Sequence, residues 1–294
     1  MTGKNCVISG ATSGIGRAAA IELGLRGANL VLLGRNEARG KEVVASVQRR
    51  GPASGVQFIR CDLTVRSDVL DAAQKIRGRF ERLDVLVNNA GARFDTYGAS
   101  PDGVERTFAG NHLGHFLLTA HLLESLLVSP AARVITLASG AHGVTPPSGW
   151  LLTESNYDRK LAYGISKFAN VVFTYELARR LAGTRVTVNA LDPGGVATRL
   201  GLNNGPAAWV KHLVYYLMKG QLLSPKRASA GVVYLVRSPE VQGKTGGYYF
   251  QNQLIKSSAL SYDVSRAQAL WALSVDRSRI DARRMGTMWK YLAP

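Results

Sequence analysis

Asn5-Cys6-Val7-Ile8-Ser9 runs directly into Gly10-Ala11-Thr12-Ser13-Gly14-Ile15-Gly16, and a helical pattern follows over Arg17 to Arg26. The first segment reads as a short apolar strand, the glycines as a turn and the last segment as a helix. A helix start carries unpaired backbone N–H groups and the positive end of the helix dipole, so strand, turn and helix together make an anion site. Glycine at 10, 14 and 16 lets the backbone turn tightly and approach a pyrophosphate closely. The spacing is G-x-x-x-G-x-G, not the better-known G-x-G-x-x-G. Three glycines alone would also serve an ordinary strand–helix turn; their place between a strand and a helix favours dinucleotide binding.

Further along, Ala28-Asn29-Leu30-Val31-Leu32-Leu33 is a second buried strand, ending at Gly34-Arg35-Asn36. An acid at this strand end accepts from a ribose 2′-OH, whereas an arginine suits a 2′-phosphate. Gly34 and Arg35 stand where the acid would be, with Arg39 nearby and Arg17 as a further candidate. NADP(H) is therefore expected over NAD(H). The plainer alternative for Arg35 is a solvated loop charge. A third strand over 57–63 carries Asp62 at its end, where it could cap an adenine amino group. A fourth over 84–87 leads into Asn88-Asn89-Ala90-Gly91, a fifth over 133–137 into Ala138-Ser139-Gly140, and a sixth over 186–191 into Asp192-Pro193-Gly194-Gly195. Tyr248-Tyr249-Phe250 is the seventh. Helices are expected over 67–80, 101–127, 161–182 and 226–237. The alternation predicts a Rossmann-type α/β fold, a doubly wound parallel sheet of about seven strands with helices on both faces. We expect one domain over 1–294, with 200–226 as a substrate-pocket lid and 256–294 as a C-terminal helical extension. The extension holds a helix near Arg266 to Leu273 and closes in an Arg-rich tail expected to be loosely held.

The 294 residues are 46% hydrophobic and carry a formal charge of +17. The basic residues are scattered, densest at Arg35–Arg39–Lys41, Arg77–Arg79–Arg82 and Arg277–Arg284. There is no Lys/Arg-rich block and no zinc-finger spacing, so nucleic acid is not an expected partner. The charge reads as solvated surface, part of it serving a phosphate-bearing cofactor. No signal peptide and no spanning segment are expected, and Cys6 and Cys61 fall in buried strands, which fits a reducing cytoplasm. His112 and His115 are three apart on one helix. With no further ligand nearby they read as helix packing and surface, and no metal is expected. His142 is either a pocket residue or a loop histidine without a catalytic role. No Gly-x-Ser-x-Gly surrounds any serine, which excludes that hydrolase class.

Tyr163-Gly164-Ile165-Ser166-Lys167 supplies the chemistry. Tyrosine and lysine four apart share one helix face. An ammonium beside a phenol favours the phenolate and lowers a pKa that starts near ~10. The pair is a proton donor with its own tuner, although the spacing by itself occurs in many helices. Tyr157 lacks such a lysine, since Leu161 stands four residues on.

Taken together, Gly10–Gly16, Asp62, Asn88-Asn89-Ala90-Gly91, Asn111, Ser139, Tyr163–Lys167 and Pro193-Gly194 resemble the short-chain dehydrogenase/reductase family in order and spacing, over about residues 3–255. The runs Asn111-His112-Leu113-Gly114-His115-Phe116-Leu117-Leu118-Thr119 and Lys167-Phe168-Ala169-Asn170 are similar to the retinol dehydrogenase and WW-domain-containing oxidoreductase branch. Departures are Ser9 in place of threonine, Leu137-Ala138-Ser139 in place of a Ser-Ser pair, and no N-terminal hydrophobic anchor of the kind many retinoid-active members carry. The resemblance implies that Tyr163 exchanges a proton with the substrate oxygen and that Lys167 tunes it and holds the nicotinamide ribose. It further implies that Ser139 holds the carbonyl oxygen and Asn111 a relay water. Cofactor contacts would come from Gly10, Thr12, Ser13, Gly14, Ile15 and Gly16 at the pyrophosphate, Arg35 and Asn36 at the 2′-phosphate, and Asp62 and Leu63 at the adenine. Asn89, Ala90 and Gly91 would lie along the cofactor, and Pro193, Gly194, Val196 and Thr198 by the carboxamide. Homodimers or homotetramers through the helices over 101–127 and 161–182 are common among relatives.

Trp209, Leu213, Tyr216 and Leu217 make one apolar helix face in the least family-like stretch. Packing on the core, a pocket lid and peripheral membrane contact are all open readings of it; a lid would favour a bulky lipophilic carbonyl or alcohol. The alternative to an enzyme is a non-catalytic nucleotide-binding regulatory or scaffold protein on the same fold. Such a protein needs none of Tyr163, Lys167, Ser139 and Asn111.

Overall fold

The computed structural model describes residues 1–51, 55–147, 149–196 and 223–294, together with Gly205, Ala207, Val210, Val214 and Met218. Asn5–Ser9 forms β1, and Gly14–Gly24 the helix α1 that follows the glycine turn. Then come β2 (Asn29–Gly34), α2 (Glu37–Arg50), β3 (Val56–Arg60), α3 (Arg66–Arg79) and β4 (Val85–Asn88). Helix α4 covers 106–128 in three pieces, the middle one, Ala109–Leu113, a π-helical turn. The chain continues through β5 (Ala132–Leu137), α5 (Arg159–Arg180), β6 (Val186–Asp192), α6 (Pro225–Arg237), β7 (Gly247–Phe250), β8 (Gln253–Ile255) and α7 (Val264–Ser278).

The strand order is β3-β2-β1-β4-β5-β6-β7-β8, parallel up to β7. Order reverses between β1 and β4, which opens a crevice at their carboxyl ends. Both faces are buried, as the apolar strands require. Along β2, Leu30 and Leu32 enter the core beneath α1, α2 and α6, while Val31 and Leu33 enter the one beneath α3, α4, α5 and α7. Cys6 and Cys61 are free and buried, and burial pushes the Cys61 thiol up to about 12.

The sheet has eight strands, not seven. β8 pairs antiparallel with β7 through a two-residue turn at Gln251 and Asn252, both in the left-handed region at φ 49° and 65°. That is type I′ geometry, which matches strand twist but calls for residues tolerant of positive φ. All three β8 residues are exposed, so no buried run marked the strand. The Arg-rich tail is also anchored. Trp271 Nε1 donates to Leu292 O at 2.9 Å, Leu292 is buried, and the Arg180 guanidinium sits 4.2 Å from the Trp271 ring while donating to Ala293 O. Two short helical turns, Ala282–Met285 and Trp289–Leu292, carry the chain back to α5. Most of 200–226, including the Trp209–Leu217 face, lies outside the described residues, as does Thr198.

Candidate active site

The glycine turn is built as an anion cradle. Ser13 precedes α1 in extended conformation with no side-chain cap, and no acid stands in the first turn, so the N–H groups keep their positive end. Gly10 (φ +65°) and Gly14 (φ +54°) occupy backbone that favours glycine. Gly16 is required by space: a Cβ there would fall 2.4 Å from Asn89 Nδ2 and 2.5 Å from Gly10 O. Asn89 Nδ2 donates to Ser9 O at 2.7 Å and Gly10 O at 3.3 Å. The Asn89 side chain therefore holds the turn in shape, a role the expected place along the cofactor did not include. Ser9 Oγ accepts from the N–H groups of Asn89 and Ala90 at 2.9 and 3.0 Å, tying the ends of β1 and β4.

Thr12 packs against Gly34, where an added Cβ would lie 2.7 Å from Thr12 Cγ2. Position 34 thus has no room for an acid, and the first side chain available at the β2 end is the exposed Arg35. Asn36 caps α2 by accepting from Arg39 N–H at 2.9 Å. Asp62 Oδ1 accepts from both the N–H and the hydroxyl of Thr64 at 2.9 Å. Leu63 meets Gly114 on α4, where a Cβ would sit 2.4 Å from Leu63 O. Ile15 is buried in the core under α1.

The second half of the site lies beyond β4 and β5. Asp158 caps α5 by accepting from Lys160 and Leu161 N–H. Tyr163 is half-buried and Lys167 buried, with Nζ 5.7 Å from the Tyr163 ring centre and donating to Leu137 O at 3.0 Å. Burial pushes the Lys167 ammonium down to about 8, and the charge of Asp192 opposes that shift. Ser139 lies two residues past Leu137. Its Oγ accepts from Ala141 N–H at 3.2 Å, and its own hydrogen meets no acceptor among the described residues. Asn111 sits in the π turn, where the extra residue per turn turns it out of the helix. It exchanges two bonds with Ala92, at 2.8 and 2.9 Å, and donates to Ser166 Oγ at 3.0 Å; Ser166 Oγ donates to Tyr163 O. A Cβ on Gly91 would lie 3.6 Å from Lys167 Nζ and 3.9 Å from Asn111 Oδ1. Asn111, Ser139, Tyr163 and Lys167 thus gather at the carboxyl ends of β4 and β5. Gly194 (φ +76°) turns the chain after β6, donating its N–H to Asp192 Oδ1, and Val196 is buried and bridged to Leu223.

Neither His112 nor His115 is a surface residue. His115 Nδ1 lies 2.9 Å from Asn111 O and Nε2 2.9 Å from Ser9 Oγ. A carbonyl only accepts, so Nδ1 carries the proton and Nε2 takes the Ser9 hydroxyl. His115 therefore links the cradle to the Asn111 turn. His112 Nε2 pairs with Ser274 Oγ of α7 at 2.8 Å. Burial pushes both rings down to about 3, so they stay neutral. The sequence signal for His115 was its place one turn after Asn111, which shows its value only once Ser9 is known to face it. Among the described residues no group of side chains could hold a metal ion, and no helix is long and apolar enough to cross a membrane.

The family model for short chain dehydrogenase matches residues 4–207. Human retinol dehydrogenase 14 is 37% identical over 288 residues, covering 93% of this chain and 86% of that protein. Human polyprenol dehydrogenase is 33% identical over 283 residues, covering 93% and 84%. Among solved structures, a short-chain dehydrogenase of Shigella flexneri 2a complexed with NADP superposes with a TM-score of 0.67 at 25% identity, covering 85% of this chain and 97% of its own.

Proposed function

The chain belongs to the short-chain dehydrogenase family of oxidoreductases, and from that premise we propose that it interconverts a ketone or aldehyde and an alcohol with NADP(H). The observation that carries this reading is the gathering of Asn111, Ser139, Tyr163 and Lys167 beside Gly91. In this reading the Tyr163 hydroxyl gives its proton to the substrate oxygen during reduction and takes it back during oxidation. Ser139 donates a hydrogen bond to the same oxygen, where negative charge develops. The Lys167 ammonium favours the Tyr163 phenolate and replenishes its proton. Asn111 holds the turn beside Lys167 in place. A bound nicotinamide supplies the hydride in reduction and accepts it in oxidation.

The residues fit a dinucleotide. The α1 start is uncapped, the glycines keep side chains off the turn, and Gly10 to Gly16, Asp62, Leu63 and Asn89 to Gly91 open along one crevice. Arg35, at a strand end where Gly34 leaves no space for an acid, supports NADP(H) over NAD(H). The names of the two relatives, a retinol and a polyprenol dehydrogenase, support a bulky lipophilic substrate. We read 200–226 as the lid over it.

The test is Tyr163→Phe. It is expected to abolish NADPH-linked turnover of polycyclic and long-chain carbonyls while NADPH binding, followed by fluorescence, stays within a few-fold of the parent. Undiminished turnover would sink Tyr163 as the proton donor; a parent that turns over no carbonyl while still binding NADPH would sink the enzyme reading.

A further inference from the structure

A second chain of polar groups runs behind Ser139, through residues given no role so far. Asp192, the last residue of β6, accepts twice. Its Oδ1 takes the Gly194 N–H at 2.9 Å, and its Oδ2 takes the Tyr248 hydroxyl at 3.0 Å. Tyr248 stands on β7 and is 2% exposed. Its oxygen lies 3.2 Å from Nδ1 of His142, whose ring packs on its own with centres 4.8 Å apart. His142 Nδ1 is also 2.8 Å from Ser139 O, and its Nε2 is 3.0 Å from the N–H of Ser258.

These distances fix every proton in the chain. A backbone N–H only donates, so His142 Nε2 is the bare nitrogen and Nδ1 carries the hydrogen. That hydrogen is shared between Ser139 O and the Tyr248 oxygen. Tyr248, accepting from His142, gives its own hydrogen to Asp192. The polarity runs one way, from His142 to Asp192, and it ends on a group that must receive two donors. A carboxylate does this; an amide cannot, because one of its two ends donates.

We propose that Asp192, Tyr248 and His142 are positioning residues that hold Ser139 at the substrate oxygen and lock the Pro193-Gly194 turn. The proposal rests on the function read above. It explains why an acid stands before the turn, close enough that a Cβ on Gly140 would lie 3.4 Å from Asp192 Oδ2. It also explains why the segment after β8 returns to the site: Ser258 sets the tautomer of His142.

Two measurements test it. The first needs no turnover. With five histidines in the chain, ¹⁵N-histidine spectra assigned by His142→Gln should show His142 as the Nδ1–H tautomer. In Asp192→Asn that signal should shift or exchange between tautomers. A wild-type His142 carrying its hydrogen on Nε2 overturns the proposal. The second is a double-mutant cycle. Tyr248→Phe should lower kcat for carbonyl reduction about tenfold, leave NADPH affinity within twofold, and cause no further loss in a Ser139→Ala background. An equal loss with and without Ser139, or no loss in either, overturns it. If Tyr248→Phe does not fold, the His142 pair answers the same question. His142→Asn, which keeps a donor near the Nδ1 position, should recover most of the kcat lost in His142→Ala; equal activity in the two overturns the role. An Nδ1–H signal together with a wild type that turns over no carbonyl would fault the function and this role with it, while leaving the network itself standing.

Discussion

Lys167 is a side chain costly to the fold that the proposed chemistry calls for. A buried ammonium is disfavoured, and burial pushes this one down to about 8 from a usual value near 10.5. The folded state therefore holds fewer protons than the unfolded one between those values, and the cost is fully present below pH 8 and fades as pH rises to 10.5. Lys167→Met is expected to raise stability at pH 7 by about 1–3 kcal/mol, read by urea unfolding, while turnover is lost. In the parent, kcat/KM for carbonyl reduction should fall as pH climbs through about 8, because the ammonium that tunes Tyr163 is then discharged. Arg35 makes a separate prediction. Arg35→Ala should weaken NADPH binding tenfold or more and leave NADH binding nearly unchanged, as a lost charge-assisted contact to a 2′-phosphate would. An unaltered NADPH-to-NADH ratio would put the phosphate elsewhere. The positions of Tyr163, Lys167 and Ser139 were legible in the sequence because each rests on local spacing or on a strand end. Those of His115 and His142 were not, because their partners are 106 and 116 residues away.

Among the elements, the readable ones were those that bury a continuous apolar face. β1 to β7 and α3, α5 and α6 appear within a few residues of the expected bounds. Helix α4 begins at Arg106 instead of 101, since Glu105 caps it by accepting from Thr107 and Phe108 N–H. Its π turn has no apolar signature. What permits it is packing, with Gly110 and Gly114 letting the helix approach Thr64 and Leu63. β8 depends on its turn. Asn252 at φ 65° tolerates a conformation that a β-branched residue resists. Asn252→Val should cost about 1–2 kcal/mol in thermal or urea unfolding, and Asn252→Gly should be close to neutral. Because β8 leads to Ser258, the valine variant should also lower turnover more than a surface change of equal stability cost.

For the whole molecule, acid is the weak side. His112 and His115 are held at about 3, against a usual value of 6.5. Unfolding lets both rings take up protons, so stability is lost as pH falls from 6.5 towards 3, by up to ~1.4 kcal/mol per pH unit for each ring. His121, pushed down by burial to about 4, adds to the slope, so urea unfolding between pH 7 and 5 should show it and it should flatten by about a third in His112→Gln. His112 matters at this scale because its partner, Ser274, belongs to α7. With Trp271, Arg180 and the carbonyls of Tyr291 and Ala293, it binds the C-terminal extension to the sheet domain. The sequence by itself determined the α/β class, the parallel order of strands and helices, the anion cradle and the Tyr163–Lys167 pair. Those follow from periodicities and spacings a few residues long. Only the tertiary structure decided the eighth strand, the anchored tail, the tautomers of His115 and His142, and the convergence of Ser9, Asn89, Asn111 and Ser139 on one crevice. Each depends on hydrogen bonds between groups that are distant in the chain, and such bonds have no local pattern to announce them.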